Sequence, residues 1–389
     1  MFGLPRTVVA LSFVSLLNDA ASDMIAPLLP LFLVTALGAG PAIIGLIEGV
    51  AEATASLLKL LSGRLTDRGV RPHTLVVGGY TLSNVARPLI GLAIGWPFVL
   101  LLRFMDRIGK GLRSAPRDAM IAAVTPAHQQ GAAFGFHRAL DNGGAVIGPL
   151  MAFALLAMHV PLAQVFLFSA VFGVLVLMLL AFGVDREAGR VAKVASPPPL
   201  HWRLLDSRLK GIIIAASLLA VSAIPEVFLV LWARDHGLVI MYVPLIWAAA
   251  SLVKMLVAVP AGRWSDRVGR LPVLLTGWTL RILMLLALAW ADNGPWLVWA
   301  IFLGYAGSLA FTEGAERALI AEAAAPNARA TAYGIYYMSS GLMALPGAVM
   351  IGWVWEKHGA APACVLSAGL AAIAATIMLR ETMLTKRSA

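Results

Sequence analysis

At 389 residues, with 60% hydrophobic and only 13% charged side chains, the chain is too apolar for a soluble globular protein of its length and belongs in a membrane. Its formal net charge of +10 does not indicate nucleic-acid binding, because the surplus Lys and Arg fall mostly in short connections between apolar runs rather than in one patch. The single cysteine, Cys364, lies in an apolar run, which excludes a disulfide framework and a cysteine metal site.

A bilayer core of about 30 Å needs about 20 mostly apolar residues per helix. That template predicts twelve spans, at 8–34, 42–62, 74–95, 98–121, 131–157, 162–183, 211–233, 240–261, 272–291, 296–323, 330–354 and 361–380. Only Arg6 precedes the first run, and Asp19 and Asp23 interrupt what would have to be a signal-peptide core, so this segment is expected to be retained as a helix. Turn residues separate later spans at Gly38-Ala39-Gly40-Pro41, Gly95-Trp96-Pro97, Asn293-Gly294-Pro295 and Gly359. The longest polar stretch, 184–210, carries Asp185-Arg186-Glu187 and Ser196-Pro197-Pro198-Pro199, and reads as a linker between bundles at 1–183 and 211–389.

Bases concentrate in alternate connections: Arg64, Arg68 and Arg71, then Arg186 to Lys210, then Arg263, Arg267 and Arg270, then Arg329. By the positive-inside rule both termini are expected in the cytoplasm of an inner-membrane protein, which requires an even number of spans. The stretch Gly63-Arg64-Leu65-Thr66-Asp67-Arg68-Gly69-Val70-Arg71, read as a cationic turn, returns 199 positions later as Gly262-Arg263-Trp264-Ser265-Asp266-Arg267-Val268-Gly269-Arg270. Further pairs follow: Gly79-Tyr80-Thr81-Leu82 with Gly277-Trp278-Thr279-Leu280, Ala119-Met120-Ile121-Ala122 with Ala318-Leu319-Ile320-Ala321, and Phe134-Gly135-Phe136 with Tyr333-Gly334-Ile335. The expected fold is therefore an all-α integral membrane protein of twelve transmembrane helices in two parallel six-helix repeats.

Ionised side chains inside a span cost several kcal/mol unless paired or facing a wet cavity, so each asks for a reason. The first span holds Asp19 and Asp23, and the second holds Glu48 and Glu52, each pair at i, i+4, with Lys59 further along. The fourth holds Arg103, Asp106, Arg107, Lys110, Arg113, Arg117 and Asp118, and the fifth His137, Arg138 and Asp141. Counting about 1.5 Å per residue places Asp23, Glu52 and Arg107 at one depth and Asp19 near Lys110 and Asp141. These groups are candidates for a solute and proton pathway, because a carboxylate beside a movable cation changes its proton affinity as the cation comes and goes. The alternative is a static set of salt bridges fixing helix packing. An anionic solute group held by the arginines is weighed against neutralisation of the bases by Asp19, Asp23, Glu48, Glu52 and Asp141.

The second half carries fewer charges, among them Glu226, Lys254, Arg281, Glu313, Glu316 and Arg317. It also offers Trp247, Tyr305, Tyr336 and Tyr337 as a candidate aromatic wall, against the usual packing role of such residues. Trp96, Trp290, Trp296, Trp299, Trp353 and Trp355 lie near span ends and read as an interfacial belt. His137 and Asp141 are spaced to touch on one helical face, but no metal site or cofactor is expected. Pro116, Pro149, Pro225, Pro260 and Pro346 are expected to kink or open helices, and Gly143, Gly144 and Gly148 to allow close helix approach.

Six plus six spans with a G-x-x-x-D-R-x-G-R type loop after the second and eighth resemble the major facilitator superfamily over the whole chain. In the first copy the later glycine stands one place early, at Gly69. The fourth-span segment Arg103 to Gly111 resembles the family's R-x-x-Q-G-x-G-x-G pattern, with Asp106, Arg107 and Lys110 at uncharged positions. Gly144, Gly148 and Pro149 resemble the fifth-span segment that marks proton-driven exporters, although Ala152-Phe153 replaces the glycine pair that follows. The resemblance implies a cytoplasmic gate at Gly63, Asp67, Arg68 and Arg71 and at Gly262, Asp266, Arg267 and Arg270. It also implies a monomeric secondary transporter of a small charged or amphipathic solute, coupled to protons and exporting. An uptake symporter for an organic anion and a non-transporting sensor that kept the fold stand as alternatives. An enzyme is not expected, since no H-E-x-x-H, G-x-S-x-G or nucleotide-binding loop occurs.

Overall fold

The computed structural model describes residues 4–126, 129–185, 202, 206–291, 294–323 and 329–387. Most of the expected linker, 186–201 and 203–205, lies outside them. The helices in chain order are α1 (Arg6–Ile25), α2 (Leu29–Thr35), α3 (Pro41–Asp67), α4 (Pro72–Leu89), α5 (Trp96–Val124), α6 (Gln130–Ala157), α7 (Leu162–Gly183), α8 (Ser207–Val221), α9 (Glu226–Asp235), α10 (Val243–Val268), α11 (Arg270–Trp290), α12 (Pro295–Ala323), α13 (Arg329–His358) and α14 (Ala360–Arg387).

Among the described residues these fourteen helices form the twelve expected rods, because α1 with α2, and α8 with α9, are single crossings interrupted by proline. Pro30 opens α2 and Pro225 immediately precedes α9, where a missing N–H and a fixed φ are tolerated. The expected opening at Pro225 is present; the first-span break near Pro27 and Pro30 was not expected. Pro116, Pro149, Pro260 and Pro346 sit inside continuous helices.

Ten of the twelve rods are long and apolar enough to cross a bilayer by length and composition. The other two are α4 and α5, in which Arg87 and the run of charges from Arg103 to Asp118 lower the mean hydropathy.

The repeated cationic stretch is less of a turn than its composition suggests. Helix α3 continues to Asp67 and α10 to Val268, so Gly63 and Gly262 are helical. Each helix stops at a left-handed glycine, Gly69 with φ 93° and Gly269 with φ 94°. The one-residue offset between copies is a difference in stop motif. After α3, the Gly69 and Val70 N–H groups donate back to Thr66 and Leu65, a Schellman pair, whereas after α10 Gly269 donates to Ser265 alone.

Cα proximity divides the chain into two compact units. The first comprises 1–38, 54–197 and 241–248; the second comprises 39–53, 198–240 and 249–389. In the first unit α1 packs on α6 and α7, and α4 packs on α5 and α7. In the second, α8 packs on α13 and α14, and α11 on α12 and α14, which is the same arrangement one repeat later. The cores correspond residue by residue: Tyr80, Met120, Ile121 and Ala133 in one, Trp278, Leu319, Ile320 and Ala332 in the other. Close approaches correspond too. Gly79 lies against Arg113 and Gly277 against Thr312; Gly148 lies against the Ala20 carbonyl and Gly347 against that of Val221.

Candidate functional site

The first unit contains a polar core built on α1, α4, α5 and α6. On α4, Tyr80, Ser83, Asn84 and Arg87 follow each other at i, i+3, i+4 and i+7, so one helical face is polar and it is buried. On α5, Arg103, Asp106 and Arg113 share the buried face. The two faces meet at Asp106, which is 1% exposed. Arg87 Nε donates to its Oδ1 at 2.8 Å, while Arg107 and Arg103 stand 3.4 and 3.8 Å from Oδ2. Arg87 Nη1 also donates to the carbonyl and side-chain oxygens of Asn18 on α1, at 3.0 and 2.9 Å, and so ties three helices together.

A second layer lies one to three turns along α5. Arg113 donates to Ser83 Oγ at 2.6 Å and rests 4.6 Å above the Tyr80 ring, so its charge is held by a hydroxyl and a π face. Arg117 donates to Ser15 Oγ at 3.0 Å, and Ser15 in turn donates to Asp141 on α6. Asp141 Oδ1 is 3.8 Å from His137 Nε2, and its Oδ2 is 3.8 Å from the exposed Arg138. Asp19, half-buried on α1, accepts from Asn18 Nδ2 at 2.9 Å and lies within electrostatic reach of Asp141, Arg113, Lys110 and Arg117. Two carboxylates on separate helices therefore lie close together and share Arg117.

The closeness of α1 and α6 that makes this layer possible rests on glycine. A Cβ at Gly144 would meet the Leu16 carbonyl and lie 3.0 Å from the Ala20 nitrogen; one at Gly148 would meet the Ala20 carbonyl and lie 2.9 Å from the Met24 nitrogen. Pro149 follows within the continuous α6.

The family model of the Major Facilitator Superfamily matches this chain at residues 11–348 and 227–388. The chain belongs to the Major Facilitator Superfamily. It is similar to an uncharacterised MFS-type transporter of Methanocaldococcus jannaschii, 29% identical over 91% of this chain and 89% of that one. It is also similar to the multidrug resistance protein MdtG of Salmonella typhimurium, 26% identical over 72% of this chain and 71% of the relative. Among solved structures, a point mutant of the nucleoside transporter NupG shares the fold with a TM-score of 0.81 at 14% identity, covering 96% of this chain and 99% of that one. A bacterial homologue of the lysosomal transporter Spinster, inward-facing and unoccupied, gives 0.77 at 16%, covering 97% and 96%.

With the twelve-helix superfamily fold in place, the other expected site residues can be located. Asp23 and Lys110 are half-buried on α1 and α5. Glu48 is half-buried and Glu52 exposed on the part of α3 that belongs to the second unit, whereas Asp23 and Arg107 belong to the first. Arg107 turns to Asp106. Of the aromatic set, Trp247 is 9% exposed and assigned to the first unit, and Tyr305 is fully buried, its hydroxyl donating to the Ile224 carbonyl at 3.0 Å. Tyr305 is thus an interior residue rather than part of a wall. Tyr336 and Tyr337 do come together, with ring centroids 5.0 Å apart, and Tyr336 donates to Glu316 at 3.1 Å. In the expected belt Trp290, Trp296 and Trp353 are exposed, but Trp355 is buried against Phe228.

At the gate stretches, Arg270 bonds Asp266 at 2.5 Å and Glu322 of α12 at 2.8 Å, while Arg68 and Arg71 are exposed. The side chain of Asp67 lies outside the described residues, and Arg267 is exposed. A Cβ at Gly262 would meet nothing within 4 Å and one at Gly63 would make ordinary contact, so neither glycine is demanded by packing. Among the described residues no three His, Cys, Asp or Glu side chains are grouped to hold a metal ion. Sequence reasoning passed over Arg87, Ser15, Asn18, Ser83 and Asn84. For Ser83, Asn84 and Arg87 the signal was the polar stripe at helical spacing inside an otherwise apolar third span; Ser15 and Asn18 lie one turn apart on the first span, beside Asp19.

Proposed function

We propose that the protein is a monomeric secondary transporter of the inner membrane, without enzymatic activity or nucleic-acid binding. It exports a small charged or amphipathic solute in exchange for protons by alternating access. Both termini are cytoplasmic, following the base-rich connections. The observation that carries this reading is the pair Asp19 and Asp141, on separate helices and close to each other, with Arg117 within reach of both and Arg113 and Lys110 within reach of Asp19. When a solute draws one of those cations away, a carboxylate left behind takes up a proton; when the cation returns, the proton leaves. Asp106 is held on one oxygen by Arg87, with Arg103 and Arg107 near the other, and serves as the fixed support for this exchange. The likeness to the multidrug resistance protein MdtG supports the export direction.

The surplus of bases around Asp106 and Asp19 favours a second reading, proton-coupled uptake of an organic anion, and flux direction separates the two. Proteoliposomes holding an internal pH dye are given a pH gradient and challenged with a panel of organic cations, zwitterions and anions. Solute-dependent proton movement opposite to the solute is expected for the unaltered chain. It is lost in Asp19→Asn and Asp141→Asn and retained in Asp235→Asn, whose side chain is exposed at the end of α9. Co-directional movement with anions alone establishes the uptake reading instead.

A further inference from the structure

The second unit contains a buried cation that the exchange above does not use. Arg281 on α11 is 6% exposed, and its Nε and Nη2 have no hydrogen-bond acceptor among the described residues. It lies within hydrogen-bonding reach of Tyr305 on α12, but no described carboxylate forms an ion pair with it. The nearby Glu226 is engaged by Lys254, at 2.5 and 2.7 Å.

The internal repeat explains the shortage. The offset that pairs Ala119 with Ala318 also pairs Asp106 with Tyr305, and the offset that pairs Gly79 with Gly277 pairs Ser83 with Arg281. In the first unit the α4–α5 contact at this place is an arginine closed by a carboxylate, with Ser83 donating to the Asp106 carbonyl. In the second unit the arginine is kept, one turn away on the same helical face, while the carboxylate has become a phenol. A buried guanidinium without its counter-charge is costly, and a planar fork with two unmet donors matches an oxyanion. Tyr305 also donates to Ile224, which sets Arg281 beside the break between α8 and α9; such interrupted crossings are where transporters place ligand contacts.

We propose that Arg281, with Tyr305 beside it, is a binding site for a carboxylate or phosphate group, brought by the solute. The proposal rests on the transport reading only for the source of that group. The test is equilibrium binding to the purified full chain in a neutral detergent, followed by thermal unfolding, so that it stands or falls separately from flux. Sodium phosphate or sodium acetate replaces chloride at constant ionic strength, with lysophosphatidylglycerol as a separate arm.

At tenfold the dissociation constant the unaltered chain should melt about 2 °C higher, with saturation. Arg281→Gln should lose the shift and Arg281→Lys retain a weaker one. Tyr305→Asp restores an internal carboxylate as in the first unit, so it should fold, melt no lower than the unaltered chain and ignore the added anions. An equal shift in Arg281→Gln, or no saturable shift with either soluble ion, overturns the proposal. So does a response to the lipid alone, which would reassign the site to a headgroup.

Discussion

Asp106 is the residue whose loss should be felt most. Its carboxylate is buried with Arg87, itself 3% exposed, and has Arg103 and Arg107 on its other oxygen. Removing one member of such a group leaves a charge stranded in a low-dielectric interior, which typically costs about 3–5 kcal/mol, whereas replacing both partners by apolar side chains of similar size is often neutral. Asp106→Asn should therefore lower the thermal midpoint sharply and Arg87→Met less, because Asp106 keeps Arg103 and Arg107; Asp106→Leu with Arg87→Met should lie above Asp106→Asn but recover only part of the loss, because Arg103 and Arg107 no longer have this carboxylate. A double variant no better than Asp106→Asn would show that the pair contributes more than mutual neutralisation. At this scale much was legible. Asp19, Lys110 and Asp141 could be placed together from helical rise alone, because charges in apolar runs stand out and depth is a simple count. Arg87 was not recognised, since one charge near a span end reads as an interfacial anchor until its helix is seen to carry a polar face.

Between elements, the decisive contacts are backbone to backbone. Gly148 against Ala20 in α1 and Gly347 against Val221 in α8 leave no room for a side chain. Overpacking a well-filled contact costs about 1–3 kcal/mol or more, and here the obstacle is a carbonyl that cannot rotate away. Gly148→Leu should reduce the yield of monodisperse protein on size-exclusion chromatography, while Gly262→Ala, with open space around it, should leave it unchanged. Equal behaviour of the two would mean that α1 and α6 have slack that their spacing does not suggest. The need for close approach could be read from Gly143, Gly144 and Gly148 in the sequence. The extent of α3 and α10 could not, because Arg64, Thr66 and Asp67 make the stretch polar enough to resemble a loop, although Arg64 and Leu65 favour helix, and the true stop is the conformation of Gly69 and Gly269.

For the whole molecule, the repeat seen as four short sequence pairs extends to the main packing partners of α1, α4, α5, α6 and α7 in one unit and of α8, α11, α12, α13 and α14 in the other. Six-helix repeats were legible because hydropathy and motif order survive divergence; the differences that give each unit its own chemistry, such as Asp106 against Tyr305, emerge only once equivalent positions are superimposed. The low hydropathy of α4 and α5 has a consequence for how the chain is made. An arginine or aspartate opposes release from the translocon by up to about 2.5–3.5 kcal/mol at a helix centre and by less towards an end such as that of Arg87, and these two segments are joined only by the short link after Leu92. They are expected to leave the channel together as a closed hairpin, Arg87 already neutralised by Asp106, rather than one after the other. Glycosylation mapping of nascent chains should find α4 poorly integrated when synthesis stops before α5, integrated once α5 is added, and poorly integrated again when the added α5 carries Asp106→Asn.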